Sequence, residues 1–202
     1  MPVHRMKSDS IEKGRSVMET TSKTPRRAAR LLGWCGALGA ALWLAGCAVT
    51  DVGRAPALSA GEALAVLPIV NYTETPQAGL RAEAIAESLL KTGGVTNVRR
   101  YPASLNPETL FEPAERESVG KALEWARTQK LRYALTGAVQ EWRYKVGVDG
   151  EPAVGISLQL LDVSTGEVVW SATGSDSGWS RESLSGTAQK LLRRLLAPLR
   201  QG

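Results

Sequence analysis

The chain has 202 residues, 43% hydrophobic and 22% charged, a globular composition of about one domain that excludes a collagen-like, coiled-coil or wholly disordered chain. A formal charge of +5 points toward nucleic acid, but residues 1 to 47 carry 8 of the 25 Lys and Arg and 3 of the 20 Asp and Glu, leaving 17 of each sign beyond them. The body of the chain is therefore neutral, and no nucleic-acid partner is expected.

The charged first segment reads as a targeting peptide. Arg26, Arg27 and Arg30 precede an uncharged run from Leu31 to Leu44, and Leu44-Ala45-Gly46-Cys47 follows. The run has the length of a secretory signal core and falls short of the roughly 20 apolar residues that a spanning helix needs. L-A-G-C matches the lipobox of bacterial lipoproteins, in which the cysteine sulfur is alkylated by diacylglycerol, the peptide is cut before it, and the new amine is acylated. Residues 1–46 are thus expected to be a signal peptide and Cys47 the lipidation site, with three acyl chains making attachment permanent. Ala48 stands where Asp would retain the protein at the inner membrane, which favours the periplasmic face of the outer membrane. Residues 47–61, rich in Ala, Ser, Gly and Pro, have the composition of a flexible tether. The folded domain is then 62–202.

Along that domain, strand and helix patterns alternate. Ala63 to Val70 is a short continuous apolar run, the pattern of a strand covered on both faces, with Pro68 toward its end. Thr75-Pro76 opens a helix whose stripe is Ala78, Ala82, Ile85, Ala86 and Leu89, stopped by Gly93-Gly94. Val95 to Tyr101 makes a short strand, and Leu105 to Phe111 a loop. A second helix from about Pro113 to Lys130 buries Val119, Ala122, Leu123 and Ala126, with Trp125 on its flank.

Tyr133 to Val148 and Ala153 to Asp162 read as strands joined across Asp149-Gly150, a hairpin dipeptide. The second alternates Val154, Ile156, Leu158 and Leu160 with Gly155, Ser157 and Gln159. Ser164-Thr165-Gly166 turns the chain into Glu167 to Thr173, completing an antiparallel meander. A last helix starts at Ser180 and presents Leu184, Ala188, Leu191, Leu192, Leu195 and Leu199. The order β-α-β-α-β-β-β-α predicts an α/β fold, a mixed β-sheet with helices packed on it.

Chemistry is indicated mainly by what is missing. His4 is the only histidine, and the only cysteines are Cys35 and Cys47, so a chain cut after Gly46 has no His and a single Cys at its first position. Histidine bases, nucleophilic triads and His/Cys zinc sites are thereby excluded. No phosphate-cradling glycine loop occurs, and no pair of acids stands out for glycoside hydrolysis. An enzyme, a cofactor and a metal are not expected. Trp142 and Tyr144 share a strand face and read as core or subunit contacts, Trp125 as a flank residue available to another copy, and Trp170 as core. Trp179, in the polar loop Ser175 to Ser180, admits two readings: an indole at the membrane interface, or local packing over the helix start.

Several segments carry a family resemblance. Ala65 to Asn71 is similar to the first strand of lipoproteins related to the curli secretion pore and the Tol N-terminal domain. The run from Arg132 to Ser185, including RYALTGAVQEWRYKVGVDGEPAVG, LLDVSTGEVVWS and SGWSRESLSG, resembles the PelC family of outer-membrane lipoproteins of the Pel exopolysaccharide export system. The lipobox, the run from Thr75 to Leu90 and LFEPAERE agree with it. The resemblance implies a non-enzymatic homo-oligomer of twelve subunits around the mouth of an outer-membrane export barrel, presenting an acidic path to a cationic amino-sugar polysaccharide. It makes Asp149 and its neighbour Glu151 candidates for that path; read as bare sequence, both are hairpin-turn residues. A scaffold lipoprotein that forms or braces a protein secretion pore is the competing expectation.

Overall fold

In the computed structural model the described residues are 48–59, 61–105, 116–147 and 150–200. They form a six-stranded mixed sheet of β1 (Val49–Val52), β2 (Ala63–Asn71), β3 (Asn97–Arg100), β4 (Tyr133–Tyr144), β5 (Pro152–Asp162) and β6 (Val168–Ser177). Helices α1 (Ala78–Thr92), α2 (Arg116–Thr128) and α3 (Leu184–Leu195) complete the fold. The spatial order is β1-β6-β5-β4-β2-β3, with β2 parallel to both its neighbours and the β4-β5-β6-β1 half antiparallel. The expected element order is present from β2 onward.

β2 is apolar throughout because both of its faces are covered. Leu64, Val66 and Ile69 join the main core under α1 and α3, while Ala65 and Leu67 join a smaller core with Ala122, Ala126, Ala134 and Leu161 under α2. In α1 the buried positions are mostly small, Ala78, Gly79, Ala82 and Ala86, so the helix lies close to the sheet. Gly94, at φ 94, ends it, and Val95 N–H returns to the Leu90 carbonyl at 3.1 Å. In α3, Leu191, Leu192 and Leu195 are fully buried, stabilising the fold by about 1.5–3 kcal/mol each.

Of three register shifts in the sheet, two set which residues of β2 and β4 face inward. In β2 the register against β4 shifts between Val66 and Ile69, around Pro68. The Ile69 N–H is taken by the buried Glu83 carboxylate of α1 at 3.0 Å, and Thr136 Oγ1 donates to the Pro68 carbonyl at 2.8 Å. In β4 the register against β5 shifts between Val139 and Glu141, so Val139 and Trp142, three apart, both lie in the main core.

β1 corrects the tether expectation for part of 47–61. Val49–Val52 pairs antiparallel with β6, Val49 opposite Ser175 and Val52 opposite Ala172. Gly53 N–H continues the ladder to the Ser171 carbonyl at 2.9 Å, and Trp170 Nε1 donates to the Gly53 carbonyl at 2.9 Å. Gly174 permits the approach, since a Cβ there would stand 2.8 Å from the Val49 carbonyl oxygen. Composition alone concealed the strand, because its affinity lies in backbone pairing at an edge where all four side chains stay exposed.

α3 begins at Leu184 rather than Ser180, and of the capping run Ser180-Arg181-Glu182-Ser183 it is Ser183 that caps it, its side chain accepting the Gly186 N–H at 3.0 Å. α1 begins at Ala78, with Gln77 at φ 60 as an N-cap whose side chain makes no capping bond.

Candidate functional site

α2 covers only part of its face of the sheet, and the rest of that face is polar. Gln140 Nε2 donates to Ser157 Oγ at 2.7 Å, and Ser157 Oγ lies 2.8 Å from Thr173 Oγ1, forming a ladder across β4, β5 and β6. Beside it opens a groove of about 1020 Å³ between the β2–α1 loop and the strands β4, β5, β6 and β1. Its charged lining is Asp51 from β1, Glu74 from the loop, and Glu141 and Arg143 from β4. Glu141 pairs with Arg143 at 2.9 Å, which leaves the groove with two carboxylates beyond that pair.

The loop that carries Glu74 is held by a side-chain network. Asn71 Nδ2 donates to the Thr75 carbonyl at 2.9 Å, while its Oδ1 accepts the Thr73 N–H at 3.1 Å and the Thr73 hydroxyl at 2.8 Å. Thr75 Oγ1 then donates to the Trp142 carbonyl, tying the loop to the bulged segment of β4. Glu74 and Glu141 thus line the same groove. An array of carboxylates and hydroxyls of this kind can attract cations and hydrogen-bond hydroxyls; among the described residues, no group of three His, Cys, Asp or Glu could hold a metal ion.

The second distinctive region is one end of the sheet. Tyr144 pairs with Pro152, and Gly178 N–H donates to the Pro152 carbonyl at 2.9 Å, so the end of β4, the start of β5 and the end of β6 form one row. Tyr144 is 50% exposed, its hydroxyl accepting the Leu184 N–H at 3.1 Å; Trp179 is 66% exposed and Val146 99%. Among the described residues no helix is long and apolar enough to cross a membrane.

No protein-family model and no curated protein matches the chain. Among solved structures, the PelC dodecamer from Paraburkholderia phytofirmans is 49% identical to it, the match covering 77% of this chain and 99% of that one with a TM-score of 0.66. This chain belongs to the PelC family. A variant of the same PelC dodecamer in another crystal form is 48% identical over 76% of this chain and 99% of that one, with a TM-score of 0.65. A lipoprotein from Neisseria meningitidis, 18% identical over 68% of this chain and 97% of that one, with a TM-score of 0.50, shares the fold.

Against this PelC-family frame the residues singled out by sequence divide. Trp142, read as core or subunit contact, is 1% exposed and belongs to the subunit's own core, which corrects its place among interface candidates. The bulge ahead of it turns the ring inward. Tyr144 shares that strand face but lies beyond the end of the packed helices. Trp125 is half-buried, its ring edge-on to Tyr101 at 5.5 Å. Trp170 is core, as expected, at 3% exposure. The ring of Trp179 is too exposed for the local-packing reading, although its carbonyl accepts the Glu182 N–H at 2.8 Å. Glu151 pairs with Lys145 at 3.5 Å, so its charge is partly offset. Cys47 and Asp149 lie outside the described residues. Sequence reasoning missed Asp51, Glu74 and Glu141, which are far apart in the chain and meet only through the strand order; a weak signal was the Asn71-x-Thr73-x-Thr75 spacing of a side-chain-braced loop.

Proposed function

We propose that the protein is a non-enzymatic lipoprotein of the Pel system, anchored through Cys47 to the periplasmic face of the outer membrane. Twelve copies form a ring that guides a cationic amino-sugar exopolysaccharide to its export barrel. The observation that carries the reading is the 49% identity, over 99% of its length, to a PelC protein that is itself a dodecamer. The groove supports it: Asp51 and Glu74, the two carboxylates beyond the Glu141–Arg143 pair, repeated around a ring axis, would sum to a field that concentrates a positively charged polymer. Asp149 would add to that field, and Glu151 less, being paired.

Anchoring is supported by the direction of β1. Because β1 runs antiparallel to β6, the chain before Val49 heads toward the end of β6, where Trp179 follows. An indole there has the amphipathic character that suits a membrane interface.

The test compares Asp51→Asn, Glu74→Gln and Glu141→Gln combined, and Asp149→Asn separately, for secreted polysaccharide at matched protein abundance, with particle mass measured in detergent. The combined variant should export less while keeping a twelve-subunit mass. Undiminished export at normal abundance would overturn the charge-guide role, and a monomeric mass of the unmodified protein at all concentrations would overturn the ring.

A further inference from the structure

Resting on the polysaccharide reading above, we infer that the sheet face left open beside α2 is a glycan-binding subsite for the uncharged, N-acetylated units of the amino-sugar chain. Gln159 and the Ser157 and Thr173 hydroxyls form its hydrogen-bonding floor, and Tyr72 its stacking wall. The acidic groove attracts ammonium groups; an acetylated unit carries none and needs a different kind of partner.

Strand register lays the floor out as two rows. Ala138 of β4 stands opposite Ser157 of β5, Ser157 opposite Thr173 of β6, and Thr173 opposite Asp51 of β1. Two residues along, Thr136 stands opposite Gln159 and Gln159 opposite Ser171, whose carbonyl takes the Gly53 N–H. Residues directly opposite in a ladder share one face, so both rows lie on the open side. Two hollows stand over them, about 490 Å³ beside β1 and about 370 Å³ beside β2, and Ser157 and Gln159 line both. Three strand spacings of about 4.8 Å separate β4 from β1, so the floor spans about 14 Å.

The makeup of the floor selects the ligand. The opposite face of the same strands is apolar and packed into the main core, whereas Ser157, Gln159, Ser171 and Thr173 are uncharged side chains that each donate and accept. Sugar hydroxyls and an acetamido group are donors and acceptors at once and match such a floor. A protein partner would find no apolar centre in it, although that is where a stable interface buries its core. The Gln140–Ser157–Thr173 ladder holds two of the hydroxyls in place, so their remaining capacity is already oriented. The Gln159 amide and the Tyr72 hydroxyl make no hydrogen bond among the described residues and are open to a ligand.

Tyr72 closes the site on the β2 side. Its N–H donates to the Val139 carbonyl at 2.9 Å, which clips the residue to β4, yet it is 63% exposed and lines the smaller hollow with Val70 and Val119. A ring placed in this way offers its face to the C–H side of a pyranose and its phenol to a hydroxyl. The two valines offer the acetyl methyl an apolar contact.

The experiment titrates the full, lipidated protein in detergent with N-acetylglucosamine oligomers, followed by calorimetry, with the fully deacetylated oligomers as the charged counterpart. The acetylated oligomers should bind with an affinity that salt leaves unchanged, the deacetylated ones with an affinity that falls as salt rises. Tyr72→Ala and Gln159→Ala, both at exposed positions, should each weaken the acetylated oligomers about fivefold, and Tyr72→Phe should keep most of the parental affinity. No binding of acetylated oligomers, or equal binding by the parent and both alanine variants, overturns the subsite. So does binding that appears only once the protein is dissociated to monomers, since the face would then belong to the contact with a neighbouring copy. Secreted polysaccharide at matched protein abundance separates the subsite from the guide role. Lost oligomer binding with undiminished secretion leaves the subsite standing and sinks the guide reading. Secretion that needs Asp51 and Glu74, from a protein that never binds the acetylated oligomers, sinks the subsite alone.

Discussion

Replacing Asn71 by Ala removes the centre of the network that holds the β2–α1 loop. Three hydrogen bonds go: the amide donor to the Thr75 carbonyl, and the acceptor for the Thr73 N–H and hydroxyl. A net value of about 0.5–1.5 kcal/mol per bond gives a range of about 1.5–4.5 kcal/mol, but the site is only half-buried and water replaces part of the loss, so about 2 kcal/mol is expected. Thr75→Val, which deletes only the hydroxyl bond to the Trp142 carbonyl while keeping the side-chain shape, should cost about 1 kcal/mol. Urea unfolding of the full-length protein in detergent, followed by tryptophan fluorescence, reads both as shifts in midpoint at constant m. If the groove guides the polymer, Asn71→Ala should also lower export without any loss of charge, because the loop that carries Glu74 is no longer held at the groove. A destabilisation below about 0.5 kcal/mol, or slow hydrogen exchange in the loop as in the parent, would refute the claim that Asn71 organises this side of the groove.

Two further predictions test the frame around the groove. Gly137→Ala should cost about 3 kcal/mol or more and deplete the folded protein, because a Cβ there would stand 2.1 Å from the Ser157 carbonyl oxygen on the neighbouring strand; a soluble variant of near-parental thermal stability would contradict the strand spacing. The Asp162 carboxyl is held below its ordinary value of 3.8, first by the Ser164 hydroxyl and then by the Thr165 and Ser164 N–H groups. Its stabilisation is therefore fully present above that ordinary value and lost as pH falls through the depressed folded value, so the stability gap between the parent and Ser164→Ala should close on acidification, and a gap that widens in acid would reverse the sign of the argument.

Much of the architecture is legible in the chain because single elements carry their own periodicity. The strict alternation of β5, the alanine stripe of α1 and the leucine face of α3 each follow from one element meeting one core. What was illegible depends on pairs of elements. The β4 bulge changes the phase of inward-facing residues, so the parity of Trp142 cannot be read without knowing where β5 stops matching β4. β1 pairs with β6, more than a hundred residues away, and has no apolar face to announce it. The acidic groove escaped for the same reason: the hairpin acids are adjacent in sequence, whereas Asp51, Glu74 and Glu141 become neighbours only after the strands are ordered. The run Ser180-Arg181-Glu182-Ser183 marks the α3 start by residue type, but which of its serines caps the helix depends on where a side chain meets an open helical N–H, and that is Ser183.

The antiparallel seating of β1 also decides how the subunit bears load. Tension on the chain before Val49, directed away from the sheet along the strand, pulls β1 lengthwise past β6. The backbone bonds of four register pairs are then strained together in shear, with the Gly53 attachments at the far end as a stop. Had the same segment joined the edge in the opposite sense, the identical pull would have opened those bonds one at a time, as a zipper opens. A strand of only four residues thereby serves as a mechanical grip, because a lengthwise pull must break its bonds together and not in succession.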